Sequence, residues 1–83
     1  MTLKETIDLM KSSNYKDRFK AEYYQTKYRY EHLVDILNKD LKKELKFKLA
    51  CPRDLLKTQA EAMRNYLMAL QDRALIEGIE LAE

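Results

Sequence analysis

Residues 19–37 read FKAEYYQTKYRYEHLVDIL, and Phe19, Tyr23, Thr26, Tyr30, Leu33 and Leu37 recur at intervals of four, three, four, three and four. That is the heptad seam of two helices lying side by side at a shallow angle. After Leu37 the rhythm slips: Leu41 and Leu45 follow at four and four. Asn38 and Asp40 are weak helix formers, so the helix is expected to fray between Asn38 and Phe47. Upstream, Ser12-Ser13-Asn14 closes whatever precedes and offers N-caps for a helix opening at Tyr15.

Downstream, Cys51-Pro52 marks the next start, with Pro52 suited to a first turn and Asp54 placed against the positive end of the helix dipole. Gly78 is the stop signal. The seam of this helix reads Leu56, Gln59, Met63, Tyr66, Leu70 and Arg73, while Leu55, Ala62, Leu67 and Ala74 widen its apolar face. Near the N-terminus, Thr2-Leu3-Lys4-Glu5 spells a capping box, followed by Leu3, Ile7 and Met10 on one helical face. The expected fold is all-α, a single domain over residues 1–83. A short N-terminal helix (1–12) precedes a long antiparallel helical hairpin (15–46 and 52–77). Two helices cannot enclose a core, so the hairpins are expected to assemble into a homo-oligomeric helical bundle.

Composition agrees with this architecture. One Gly and one Pro in 83 residues leave too few turn residues for a sheet. At this length a chain buries only about 60% of its unfolded surface. With Cys51 the one cysteine and His32 the one histidine, neither a disulfide within the chain nor a structural zinc site is available, which again points to self-association. Charged residues make up 36% of the chain and apolar ones 46%, a solvated helical surface rather than disorder. No apolar run approaches a membrane span, and Met1-Thr2-Leu3-Lys4-Glu5 lacks the apolar stretch of a signal peptide, so a cytoplasmic protein is expected.

The net charge of +2 is unevenly spread. Residues 39–57 hold seven bases (Lys39, Lys42, Lys43, Lys46, Lys48, Arg53, Lys57) against three acids, and the last seven residues carry Glu77, Glu80 and Glu83 with no base. The basic stretch reads first as a solvated turn. Catalysis is poorly supported: His32 has no nucleophile at a telling spacing, and Cys51 has no second cysteine or neighbouring histidine. No phosphate loop and no metal cluster is present, so neither cofactor nor metal is expected. Of six tyrosines, Tyr23, Tyr24, Tyr28 and Tyr30 crowd two turns of one helix. Tyr24 and Tyr28 form an i, i+4 pair interleaved with Lys20, Lys27 and Arg29. Such rings beside cations suit a flat base attached to a phosphate, although periodicity alone favours an oligomer interface.

Two stretches carry a resemblance. Tyr15-Lys16-Asp17-Arg18-Phe19-Lys20-Ala21-Glu22 resembles a motif Tyr-x-x-Arg-aliphatic-x-x-Glu. Leu55-Leu56-Lys57-Thr58-Gln59-Ala60-Glu61-Ala62-Met63-Arg64-Asn65-Tyr66, with Leu70 and Arg73, resembles Leu-Leu-x-x-Gln-x-x-x-Met-x-x-Tyr-x-x-x-Leu-x-x-Arg. Both belong to the phage anti-CBASS cyclic-oligonucleotide sponges, short helical proteins that assemble as homohexamers and sequester bacterial immune messengers. The resemblance implies a non-enzymatic protein acting in the cytoplasm of an infected bacterial host, binding cyclic oligonucleotides such as cyclic GMP-AMP, with no membrane and no DNA or RNA as partner. It implies pockets between protomers, where Tyr15 stacks on a base and a cation about fifteen residues on meets phosphate. That position falls at Arg29 or Tyr30, so Arg29 is the implied cation. A second class of site, for cyclic trinucleotides, implies an arginine of the last helix, Arg64 or Arg73. Arg18 of the first motif and Tyr30 complete the implied set. Thr26, where an apolar residue is usual, the basic loop and the extra N-terminal helix depart from the pattern. The alternative is a helical adaptor that docks on a host or phage protein through Tyr24 and Tyr28. A weaker one is a nucleic-acid binder using Lys39 to Lys57.

Overall fold

The computed structural model describes residues 1–81, and its regular structure is all helical, with no strand among those residues. Three helices follow one another: α1 (Thr6–Lys11), α2 (Tyr15–Leu41) and α3 (Arg53–Glu77). Glu83 of the acidic tail lies outside the described residues.

Each boundary has a local cause. Before α1 the Glu5 amide donates to Thr2 Oγ1 at 3.3 Å, as a capping box requires, but the reciprocal bond differs. The Thr2 hydroxyl donates to the Glu5 carboxylate at 3.0 Å. At the α1–α2 corner the Asn14 side chain accepts from the Lys16 amide at 2.8 Å and caps α2. Ser12 Oγ accepts from the Asn14 amide and donates to Asp17. α2 stops at Leu41, short of residue 46, inside the region where weak helix formers loosen it. The Lys43 amide bonds to the Asp40 carbonyl and the Glu44 amide to the Lys39 carbonyl, while Lys43 takes φ 60°. This is a Schellman closure built without glycine. α3 closes on Gly78 at φ 70°, with the Ile79 amide reaching the Ala74 carbonyl at 2.9 Å.

α2 and α3 run antiparallel. Tyr15 at the start of α2 meets Arg73 near the end of α3, and Arg53 at the start of α3 reaches the Leu37 carbonyl (3.0 Å) and the Asp40 carboxylate (2.8 Å). All six expected seam positions of α2 are buried or half-buried. The seam of α3 is corrected. Leu56, Met63 and Leu70 face α2, but Gln59, Tyr66 and Arg73 are exposed, and Ala60, Leu67 and Ala74 take their places. Leu55 and Ala62 are exposed too, so only part of the wider apolar face turns inward. The small alanines let the two backbones approach, and the aromatic bulk comes from α2. Phe19, Tyr23, Leu67, Leu70, Ala74 and Ile79 form one cluster at the end of the hairpin where α1 also lies. The buried Tyr23 hydroxyl accepts from Gln71 at 3.0 Å, so burial leaves no polar atom stranded.

α1 packs on α2, and α2 on α3. The fully buried Thr6 donates to the Leu3 carbonyl at 2.6 Å and accepts from Gln25 at 3.0 Å. Buried Ala21 and half-buried Gln25 lie on the side of α2 opposite Tyr23 and Tyr30, since each residue advances the helix by about 100°. The three helices therefore pack in series with α2 in the middle, and the described residues span 43 × 24 × 20 Å.

The two left-handed residues give a paired test by urea unfolding. A Cβ at Gly78 would meet nothing within 4 Å, so Gly78→Ala carries only the backbone strain and is expected to destabilise by about 1 kcal/mol. Lys43→Gly relieves the same strain and is expected to stabilise by up to about 1 kcal/mol. Two shifts of the same sign would contradict this account of the helix ends.

Candidate functional site

The antiparallel pairing gathers the first residue of α2 and the last turns of α3 into one closed set of bonds. Arg73 Nη2 donates to the Tyr15 hydroxyl at 2.7 Å. That hydroxyl donates to Glu77 Oε1 at 2.7 Å. Arg73 Nε completes the circuit on Glu77 Oε2 at 3.1 Å. The guanidinium lies over the Phe19 ring at 5.0 Å from its centroid, within cation–π range. Tyr15 and Phe19 meet edge to face, centroids 6.3 Å apart. Lys16 Nζ reaches the Gly78 carbonyl at 3.4 Å. On the same side of the hairpin the Tyr66 hydroxyl donates to Glu22, so the two motif stretches are bonded to each other at two levels.

These bonds move all three groups further from titrating near neutral pH. Donation to Glu77 raises the Tyr15 pKa above its ordinary 10.0. The same hydrogen bond, seconded by Arg73, holds the Glu77 carboxyl below its ordinary 4.5. Arg73 is pushed further up, first by its bond to Glu77. At neutral pH the site is a neutral phenol, a carboxylate and a guanidinium. A phenol held protonated offers a ring face and a hydrogen bond, not a base. An exposed ring beside a fixed cation can stack a flat heterocycle and meet an anion.

The other sequence-derived candidates are dispersed. Arg18 donates to the Ser12 carbonyl at 2.8 Å and braces the α1–α2 corner. Arg29 is exposed and makes no hydrogen bond or ion pair among the described residues. It stands fourteen residues from Tyr15, roughly 21 Å along the helix, so one small ligand cannot touch both in a single chain. Tyr30 and Arg64 lie away from Tyr15, lining with Tyr23, Lys27, Met68 and Gln71 a shallow groove of about 260 Å³ midway along the hairpin. Tyr24 and Tyr28 do not act as one face. Tyr24 is half-buried against the core and meets Tyr23 edge to face, whereas Tyr28 is exposed and stacks on His32 at 6.4 Å. Glu77 is the residue that sequence reasoning missed. Its signal was the i, i+4 spacing from Arg73.

With this geometry in place, comparison with known proteins is decisive at one level. The pattern of the Sequestin family matches residues 13–76, more than half of the chain. The chain belongs to the Sequestin family. No curated protein and no solved structure matches it. In this Sequestin the matched stretch takes in α2, the loop and all of α3 but its last residue. α1 and Glu77 lie outside it. Among the described residues no helix is long and apolar enough to cross a membrane, and no three His, Cys, Asp or Glu side chains gather as a metal site would need.

The bond network has a titration signature. Its Glu77 contribution to stability is present above the ordinary carboxylate pKa and lost as pH falls through the depressed one. Its Tyr15 contribution is full below pH 10.0 and lost as pH rises through the raised value. In a 13C-tyrosine NMR titration Tyr15 is expected to ionise above 10.0 in the parent and nearer 10.0 in Glu77→Gln. An unchanged midpoint would break the proposed link.

Proposed function

We propose that this Sequestin binds and sequesters cyclic oligonucleotide messengers of bacterial immunity, such as cyclic GMP-AMP, without cleaving them, in the cytoplasm of a phage-infected host. Cyclic dinucleotides are the first class, and trinucleotides a second. The observation that carries the reading is the juxtaposition of the exposed Tyr15 ring with the Arg73 guanidinium, joined to membership of a family whose name denotes sequestration. A sponge needs affinity without turnover. The site fits that need, with a stacking ring, a fork for phosphate and a phenol that is not a base. An enzyme of cyclic nucleotides would need a nucleophile or general base beside the phosphate, and the set Tyr15, Arg73, Glu77 supplies neither role well.

The working unit in this reading is a homo-oligomer, a hexamer by resemblance. Leu75 and Ile76 on α3 are 83% and 86% exposed, an apolar pair that a second copy would cover. Because Arg29 stands far along α2 from Tyr15, it can serve the same ligand only from another protomer. Arg64, with Tyr30 in the mid-hairpin groove, is the candidate for the trinucleotide class. The adaptor reading draws on the same exposed pair and predicts a stoichiometric protein partner and no released nucleotide.

Isothermal titration against cyclic di- and trinucleotides, with linear dinucleotides as controls, tests the function. Submicromolar binding of one cyclic species at less than one per chain is expected. Tyr15→Ala and Arg73→Ala are expected to weaken it tenfold or more, the scale of a lost stacked base or charged hydrogen bond. Light scattering is expected to show an oligomer that Leu75→Glu with Ile76→Glu reduces in mass. A folded oligomer that takes up no cyclic nucleotide would favour the adaptor.

A further inference from the structure

The function proposed above leaves one member of the site unexplained: a carboxylate in a place meant for an anionic ligand. We infer that Glu77 sets the affinity of the Tyr15–Arg73 site by occupying, with its own carboxylate, the donors that a ligand phosphate would take. This inference rests on the sequestration reading and adds a residue that determines how tightly the site binds.

The geometry makes the competition direct. Arg73 commits Nε to Glu77 and Nη2 to the Tyr15 hydroxyl, and that hydroxyl gives its proton to Glu77. A phosphate held by two parallel bonds from a guanidinium needs two of its nitrogens on one edge. The Nε–Nη2 edge is the one already engaged, so a phosphate entering there must expel the carboxylate. Glu77 thus stands in for the phosphate while the site is empty, keeping the fork and the phenol in a bound-like arrangement.

The carboxylate is held loosely enough to leave. The Arg73 and Glu77 side chains are 49% and 31% exposed, and ion pairs this open to water are weak. Glu77 lies on the last turn of α3, at the negative end of the helix dipole, with no basic residue in that turn. The acid also follows the base by four residues, the less favourable order for a helical pair. Arg73 would not lose its place when Glu77 swings out, because Phe19 lies beneath its plane. Glu77 itself stands one residue beyond the stretch matched by the family.

The test measures cyclic GMP-AMP by titration calorimetry against the parent, Glu77→Gln, Glu77→Ala and Asp72→Asn. Asp72→Asn removes the same charge from an exposed neighbouring position that makes no bond to the site. Both Glu77 variants are expected to bind two- to fivefold tighter than the parent, the scale of releasing an exposed ion pair, with Asp72→Asn unchanged. Equal binding by the Glu77 variants and the parent overturns the inference and leaves the sponge standing. Weaker binding overturns it also, and makes Glu77 a group that positions Arg73 for the ligand. A gain matched by Asp72→Asn reduces the effect to net charge and overturns it. Silence from the parent and every variant toward cyclic GMP-AMP and toward the whole panel of cyclic di- and trinucleotides, all folded by circular dichroism, defeats the sequestration reading and this inference with it.

Discussion

The contact between the aromatic edge of α2 and the leucine and alanine edge of α3 sustains the rest of the molecule. Phe19 and Tyr23 press into a surface made by Leu67, Leu70 and Ala74, and Ile79 folds over the end of that cluster. Burying side chains of this size contributes roughly 1.5–3 kcal/mol each, so a handful of residues supplies most of the apolar stabilisation. Tyr15, Arg73 and Glu77 meet only because this seam fixes the rotation of both helices. The left-handed Gly78 belongs to the same unit. By turning the chain back it delivers Ile79 to the core and leaves Glu77 on the rim beside Tyr15.

Beyond the seam the helices pack in series, α1 on α2 and α2 on α3. That leaves two flanks to the α2–α3 hairpin. The Tyr15–Arg73 cluster and the Tyr66–Glu22 bond lie on one of them. The groove lined by Tyr30 and Arg64 opens on the other. Three helices in series cannot surround a ligand unaided, which is why the proposed function is tied to association between copies. It also explains why so many apolar side chains, Leu75 and Ile76 foremost, stand in water in the isolated chain.

The seam of α2 was legible because its residues are apolar or aromatic wherever the heptad needs them. The seam of α3 was half legible. Two lines at the same three-four spacing pass through Leu56, Met63 and Leu70, one continuing through Gln59, Tyr66 and Arg73 and the other through Ala60, Leu67 and Ala74. Spacing cannot choose between them; polarity can, and it selects the alanine line. The motif residues on the rejected line lie at the rim, where Tyr66 and Arg73 reach across to α2. The early stop of α2 was visible in Asn38 and Asp40, but the left-handed Lys43 was not, since lysine gives no warning of that conformation. Tyr15 and Arg73 were singled out from the resemblance, yet nothing in either motif said that they touch. Glu77 has a local partner in Arg73, four residues back, but its bond to Tyr15 joins opposite ends of the chain and no spacing reveals it. The docking of α1 on the back of α2 depends on Thr6 and Gln25, two polar residues whose mutual hydrogen bond no periodicity reveals.

The groove lined by Met1, Leu9, Lys20, Tyr24, Glu80 and Leu81 brings the outermost described residues of the chain onto one surface. The loop between α2 and α3 lies at the opposite end of the hairpin. Backbone order and spatial order are therefore separable in this protein. A short linker from Leu81 to Met1, with new ends opened in the lysine-rich loop, would carry the same three helices in a permuted sequence.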